Sequence, residues 1–183
     1  GYDTCVKTRK DHSDTRHKET VMDDKKALFA TIRTSVDGIL AAGGSLERKL
    51  KAITNLLANE IDYYDWVGFY IVEGDTEELV LGPFVGAETE HVRIPFGKGI
   101  CGQAAATGET IVIQDVSKVT NYLSCAPDVI SEIVVPIFHD GRIAGELDID
   151  SHELGPFSWD DRELLEYICA CLSKVWEPAG DNV

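Results

Sequence analysis

GKGICG, residues 97–102, satisfies G-x-G-x-x-G letter for letter and holds Cys101 inside the pattern. As a dinucleotide-binding loop it requires a strand, the tight turn, and a crossover helix leading to a parallel strand, hence an α/β fold. A strand-like segment does precede it, and Asp115 follows 18 residues after Gly97, where a ribose-binding acid would stand. The crossover is missing. Between Gly102 and the break at Thr107-Gly108 there is room for one or two helical turns, whereas a parallel connection takes about a dozen residues or more. What remains is a cysteine at the first turn of a short helix, among glycines that let other groups approach its backbone. A helix N-terminus stabilises a thiolate. A buried cysteine that merely fills space is the competing reading, and position alone does not choose between them.

The flanking sequence supports the rejection of a parallel sheet. From Val21 to Leu40 apolar residues recur at helical spacing (Leu28, Ile32, Val36, Ile39), and Gly43 stops that helix. Ser45 caps a second helix whose stripe is Leu46, Leu50, Ile53, Leu56, Leu57 and Ile61. The period then drops to two. Asp65–Glu73 alternates Val67, Phe69 and Ile71 with Trp66, Gly68 and Tyr70. Further strands are expected at Glu78–Phe84, His91–Phe96 and Thr110–Gln114. Ile133–Phe138 and Arg142–Asp150 flank His139-Asp140-Gly141, a hairpin signal because Asp-Gly tolerates positive φ. A last helix starts at Trp159, capped by Ser158 with Asp161 three residues on, and its stripe is Leu164, Leu165, Ile168, Leu172 and Val175. The fold class is α+β: a mostly antiparallel sheet of about six strands with helices packed against it. The chain divides into a polar, poorly ordered tail (1–20), an N-terminal helix (21–44) and one domain (45–178).

Composition narrows the function classes. The chain has 183 residues, 44% of them hydrophobic, enough for one proper core. Residues 1–26 hold seven Lys/Arg against six Asp/Glu, so the remainder carries −16 of a net −15. So acidic a domain has little to offer a phosphate backbone, and nucleic acid is not expected as a partner. No apolar run approaches the roughly 20 residues of a membrane span, and the polar N-terminus does not read as a secretory signal. The five cysteines are therefore expected to be reduced thiols in the cytoplasm.

Three groups of residues carry chemistry. Cys125, in the polar loop NYLSCAPDVISE, is harder to explain as core than Cys169 and Cys171, which fall among packing residues of the last helix; Cys5 is in the tail. No CxxC spacing occurs and the histidines form no ligand pattern, which argues against a zinc site. In LDIDS, Asp148 and Asp150 point to one sheet face about 6.5–7 Å apart, so one proton is retained more easily than usual. Glu132 begins the partner strand, and three acids can converge beside the hairpin. Such a cluster suits an ammonium ligand, a metal or an acid catalyst, or is an ordinary solvated face. Trp66 and Tyr70 offer an aromatic wall or, equally, core.

DWVGFY, LVLGPFVG, VRIPFGKGICGQAA, SEIVVP and GELDIDS, in this order from about Ser45 to Trp176, resemble free methionine-(R)-sulfoxide reductases, which are stand-alone GAF-domain enzymes. The resemblance implies reduction of free methionine (R)-sulfoxide with no cofactor, and thioredoxin as reductant. It implies Cys125 as catalytic thiolate and Cys101 as the cysteine of the GKG-x-C motif. Glu132, Asp148 and Asp150 would hold the ammonium and serve the sulfoxide, and Trp66 and Tyr70 would line the pocket. The family's usual third cysteine, before the VRIP-like strand, is His91 here, so Cys101 becomes the candidate resolving thiol and His91 an auxiliary group. A non-catalytic ligand-binding or thiol redox-sensor GAF module is the alternative. The N-terminal stripe either pairs two copies into a homodimer or packs on its own sheet.

Overall fold

The computed structural model describes residues 12–123 and 128–176, with side chains from Met22 onward. In chain order the elements are α1 (His12–Ala41), α2 (Leu46–Glu60), β1 (Trp66–Val72), β2 (Glu78–Val85), β3 (Arg93–Pro95), α3 (Gly99–Thr107), β4 (Ile111–Ile113), β5 (Ser131–His139), β6 (Arg142–Ser151) and α4 (Trp159–Val175). A single 3-10 turn, Val116–Lys118, follows β4. The expected α+β architecture is the one observed.

The six strands form one sheet in the order β3-β2-β1-β6-β5-β4, every neighbouring pair antiparallel. β3 and β4, the strands on either side of GKGICG, therefore lie at opposite edges. α3 is a bridge across one sheet face rather than a crossover between parallel neighbours. At the hairpin Asp140 and Gly141 both have positive φ, 49° and 75°, as a primed two-residue turn requires. It pins β5 to β6 so that Glu132 faces Asp150 and Val134 faces Asp148.

Alternation gives each face its own core. Val67, Phe69, Ile133, Val135, Leu147 and Ile149 point to the face covered by α1, α2 and α4, where they join Leu50, Ile53, Leu57, Leu164, Leu165, Ile168 and Leu172. Trp66, Tyr70 and Val134, with Ile100, Cys101, Ala104 and Ala105 of α3, form a second cluster on the opposite face. β6 is buried on both sides from Gly145 to Ser151, so its acids are enclosed rather than solvated.

Helix caps follow the sequence. Ser45 accepts from the Arg48 amide at the start of α2, and Ser158 and Asp161 form the reciprocal capping box of α4. Two boundaries differ. α1 begins at His12, so the 1–20 tail is shortened by nine residues; His12–Thr20 lacks apolar residues but also Gly and Pro, and nothing in it opposes helix. The edge strands are trimmed from His91–Phe96 to Arg93–Pro95 and from Thr110–Gln114 to Ile111–Ile113, because an edge strand has a partner on one side only. The α1 stripe packs against α2 and α4 of its own chain, with Phe29, Ile32 and Val36 buried in the core. Among the described residues no helix is long and apolar enough to cross a membrane.

Candidate active site

The glycines of GKGICG shape a turn that delivers Cys101. Gly97 and Gly99 have φ of 83° and 62°, positions that an L side chain resists. The Gly97 amide donates to the Gly102 carbonyl at 2.7 Å, and a Cβ on Gly102 would stand 2.5 Å from the Pro95 carbonyl oxygen. Asn121 closes the turn, accepting from the Gly99 amide and donating to the Gly97 carbonyl. A Cβ on Gly99 would meet Leu123 Cβ at 2.7 Å. Gly99 and Gly102 answer close contacts within the protein, and Gly97 answers a backbone conformation.

With Lys98 as N-cap, Cys101 stands in the first turn of α3 and is buried against the sheet. Its Sγ approaches Asp148 Oδ2 at 3.3 Å and Glu132 Oε1 at 3.7 Å. The three ligand atoms lie within 4.8 Å of one another, a grouping that could hold a metal ion. Sequence spacing cannot flag it, because its members come from three elements. The positive end of α3 and the two carboxylates act on the sulfur with opposite sign.

The acids run along and across the sheet. Glu146, Asp148 and Asp150 alternate on one face of β6, and Glu132 is the cross-strand neighbour of Asp150. All four are buried. Burial first, then the charge of Asp148, push the Glu146 carboxyl well above its ordinary range; the Cys101 thiol pulls weakly the other way. Burial, Asp148 and then Asp65 likewise push Asp150 well up. Protonated Asp150 is thus favoured, and it can donate a proton.

Tyr70 and Trp66 of β1 share that face, across from Glu146 and Asp150. Trp66 is stacked on Phe84 (5.5 Å between centroids) and on Tyr70 (6.3 Å). Its indole donates to the Ala87 carbonyl at 3.0 Å, and the Tyr70 hydroxyl donates to the His91 carbonyl at 2.9 Å. The indole covers Gly68, where a Cβ would lie 2.2 Å from its ring.

The structure thus brings together Cys101, Glu132, Asp148, Asp150, Trp66 and Tyr70. His91 joins them through its backbone, as acceptor for Tyr70. Cys125 and Cys5 lie outside the described residues. Cys169 is buried with its thiol directed at the Val135 carbonyl, and Cys171 is half-buried on α4. Glu146 is the site residue that sequence reasoning missed. The alternation that picks out Asp148 and Asp150 reaches it two residues earlier.

The GAF domain family model matches residues 45–176. Free methionine-R-sulfoxide reductase of Escherichia coli (strain K12) is 36% identical over 152 residues, 83% of this chain and 90% of that protein. The Saccharomyces cerevisiae protein of the same name is 41% identical over 112 residues, 60% of this chain and 62% of that one. The structure of free methionine-R-sulfoxide reductase from Neisseria meningitidis in complex with its substrate superposes with a TM-score of 0.77 at 38% identity, covering 82% of this chain and 89% of that one. A sheet face that joins a GKGIC thiol to the acids of GELDIDS, on a fold and sequence this similar to those proteins, places the chain in the free methionine-R-sulfoxide reductase family of GAF-domain proteins.

Proposed function

We propose that the chain reduces the (R)-sulfoxide of free methionine to methionine, with Cys125 as nucleophile and Cys101 as resolving thiol. One observation carries the reading: in a chain of this family, a single buried face gathers Cys101, Glu132, Asp148 and Asp150 beside Trp66 and Tyr70. Buried carboxylates suit the ammonium of a free amino acid, which peptide-bound methionine lacks. The stacked aromatics suit its apolar side chain.

Both flanks of the Cys125 segment are tied to this face. Leu123 packs on Gly99, and the Ile130 amide donates to the Ser151 carbonyl at the end of β6. In the first step the Cys125 thiolate attacks the sulfoxide sulfur while a proton from the Glu132/Asp148/Asp150 group goes to the oxygen. The oxygen passes to Cys125 as a sulfenic acid and methionine leaves. The Cys101 thiol then displaces water to give a Cys101–Cys125 disulfide, which thioredoxin reduces by exchange. Reduced thiols of this kind fit the cytoplasm.

The test is NADPH oxidation coupled through thioredoxin reductase and thioredoxin, with racemic free methionine sulfoxide. Consumption stopping at half the racemate and abolished by Cys125→Ser is expected, with Cys101→Ser active only when an external thiol replaces thioredoxin. Absence of turnover with both thioredoxin and dithiothreitol overturns the assignment.

A further inference from the structure

This face buries more carboxyl groups, four, than one amino-acid ammonium would engage. Glu146 and Asp150 are fully buried; among the described residues neither carboxylate oxygen of Asp150 has a hydrogen-bond partner, and the polar group that Glu146 meets is the Cys101 thiol. No ion pair among the described residues reaches either of them. Both project from β6 on the side of Asp148, and Glu146 faces Cys101. Buried carboxylates without partners are costly.

Beside them stand Cys101 Sγ, Glu132 Oε1 and Asp148 Oδ2, with Sγ–O separations of 3.7 and 3.3 Å. A tetrahedral ion with bonds of about 2.0 Å to oxygen and 2.3 Å to sulfur has ligand–ligand edges of roughly 3.3–3.5 Å. Both sulfur–oxygen edges are already close to that figure, and all three atoms lie within 4.8 Å of one another. A sulfur ligand selects a thiophilic ion over magnesium or calcium.

We propose that the reduced protein binds Zn2+ through Cys101 Sγ and one carboxylate oxygen each of Glu132 and Asp148, with the fourth position facing Glu146 and Asp150. The thiol proton is displaced as the Sγ–Zn bond forms and is released to solvent. The ion favours the ionised forms of Glu146 and Asp150, which burial alone opposes, and a zinc-bound water donates to them. An ion there holds the sulfur out of disulfide exchange and occupies the carboxylates that an ammonium would use. The site stands on geometry independently of the reductase reaction, so binding rather than turnover tests it.

The experiment uses reduced, metal-free, full-length Cys125→Ser protein, so that Cys125 contributes no thiolate. Co2+ is added first as a spectroscopic probe and Zn2+ then displaces it. An ultraviolet thiolate-to-cobalt charge-transfer band, intense visible bands of a four-coordinate ion, and at least one proton released per metal are expected. Adding Cys101→Ser should remove the charge-transfer band, and Glu146→Gln should weaken Zn2+ binding about tenfold. X-ray absorption at the zinc edge needs no Cys101 substitution and should find one sulfur at about 2.3 Å. A cobalt spectrum unchanged by Cys101→Ser, or a zinc edge with no sulfur scatterer, overturns the proposal.

Discussion

Gly68 lies opposite Asp148 in the β1–β6 register, and its missing side chain leaves the space that the Trp66 indole fills. A methyl there would stand 2.2 and 2.4 Å from two ring carbons of an indole already stacked on Tyr70 and Phe84. Gly68→Ala is therefore expected to cost about 1–3 kcal/mol in urea denaturation, and to raise the KM for free methionine sulfoxide more than it lowers kcat. At the same scale, Asp148→Asn and Asp150→Asn should each raise that KM or lower kcat; unchanged constants would remove these acids from the proposed ammonium site. Much of this was legible in sequence, since strict alternation places Asp148 with Asp150 and Trp66 with Tyr70. The thiol–carboxylate contacts were not. They depend on the path α3 takes across the sheet, which no local spacing encodes. Glu146 shows a different failure: its signal lay in the same alternation, but the LDIDS motif as read started one residue too late to include it.

GKGICG behaves as an element, and its glycines do different work. Gly97 has no neighbour within 4 Å of a prospective Cβ but has a φ of 83°, so Gly97→Ala should cost only backbone strain, about 1 kcal/mol. Gly102 has an ordinary φ but would press a methyl against the Pro95 carbonyl at 2.5 Å. Backbone cannot give way as a flexible side chain does, and Gly102→Ala should cost more, about 3 kcal/mol. Equal unfolding midpoints for the two variants would show that the loop does not seat α3 as described. Caps and turns were the most legible features at this scale, because Ser45, the Ser158/Asp161 pair and Asp140-Gly141 act through local geometry. The first turns of α1 were not, since His12–Thr20 shows no apolar period.

One buried carboxylate ties α1, the start of α4 and the Tyr63-Tyr64 segment to one another. Asp161 accepts from Lys25 at 2.6 Å, from the Tyr63 and Tyr64 hydroxyls, and from the Ser158 amide and hydroxyl. Burial alone would push its carboxyl up, but Lys25, Tyr63 and Ser158 outweigh it and hold it below its ordinary value. The stabilisation from a depressed carboxyl is present above the unfolded-state value, about 4, and is lost as pH falls through the lower folded value. Asp161→Asn should therefore be destabilised at pH 7, and its deficit against the unmutated protein should shrink below about pH 4; a constant deficit would contradict the assignment. Lys25→Ala leaves the carboxylate without its cation and should cost about 3 kcal/mol, the low end for a buried pair because the Lys25 side chain is 23% exposed. Hydrogen exchange along α1 should rise with it. The sheet that α1 and α4 cover has a further consequence at its margins. Its outer strands, β3 and β4, are three residues each, and β3 ends in Pro95, which has no amide proton to offer. β3 and β4 themselves thus offer little template for another strand, and their brevity works against edge-to-edge aggregation at those positions.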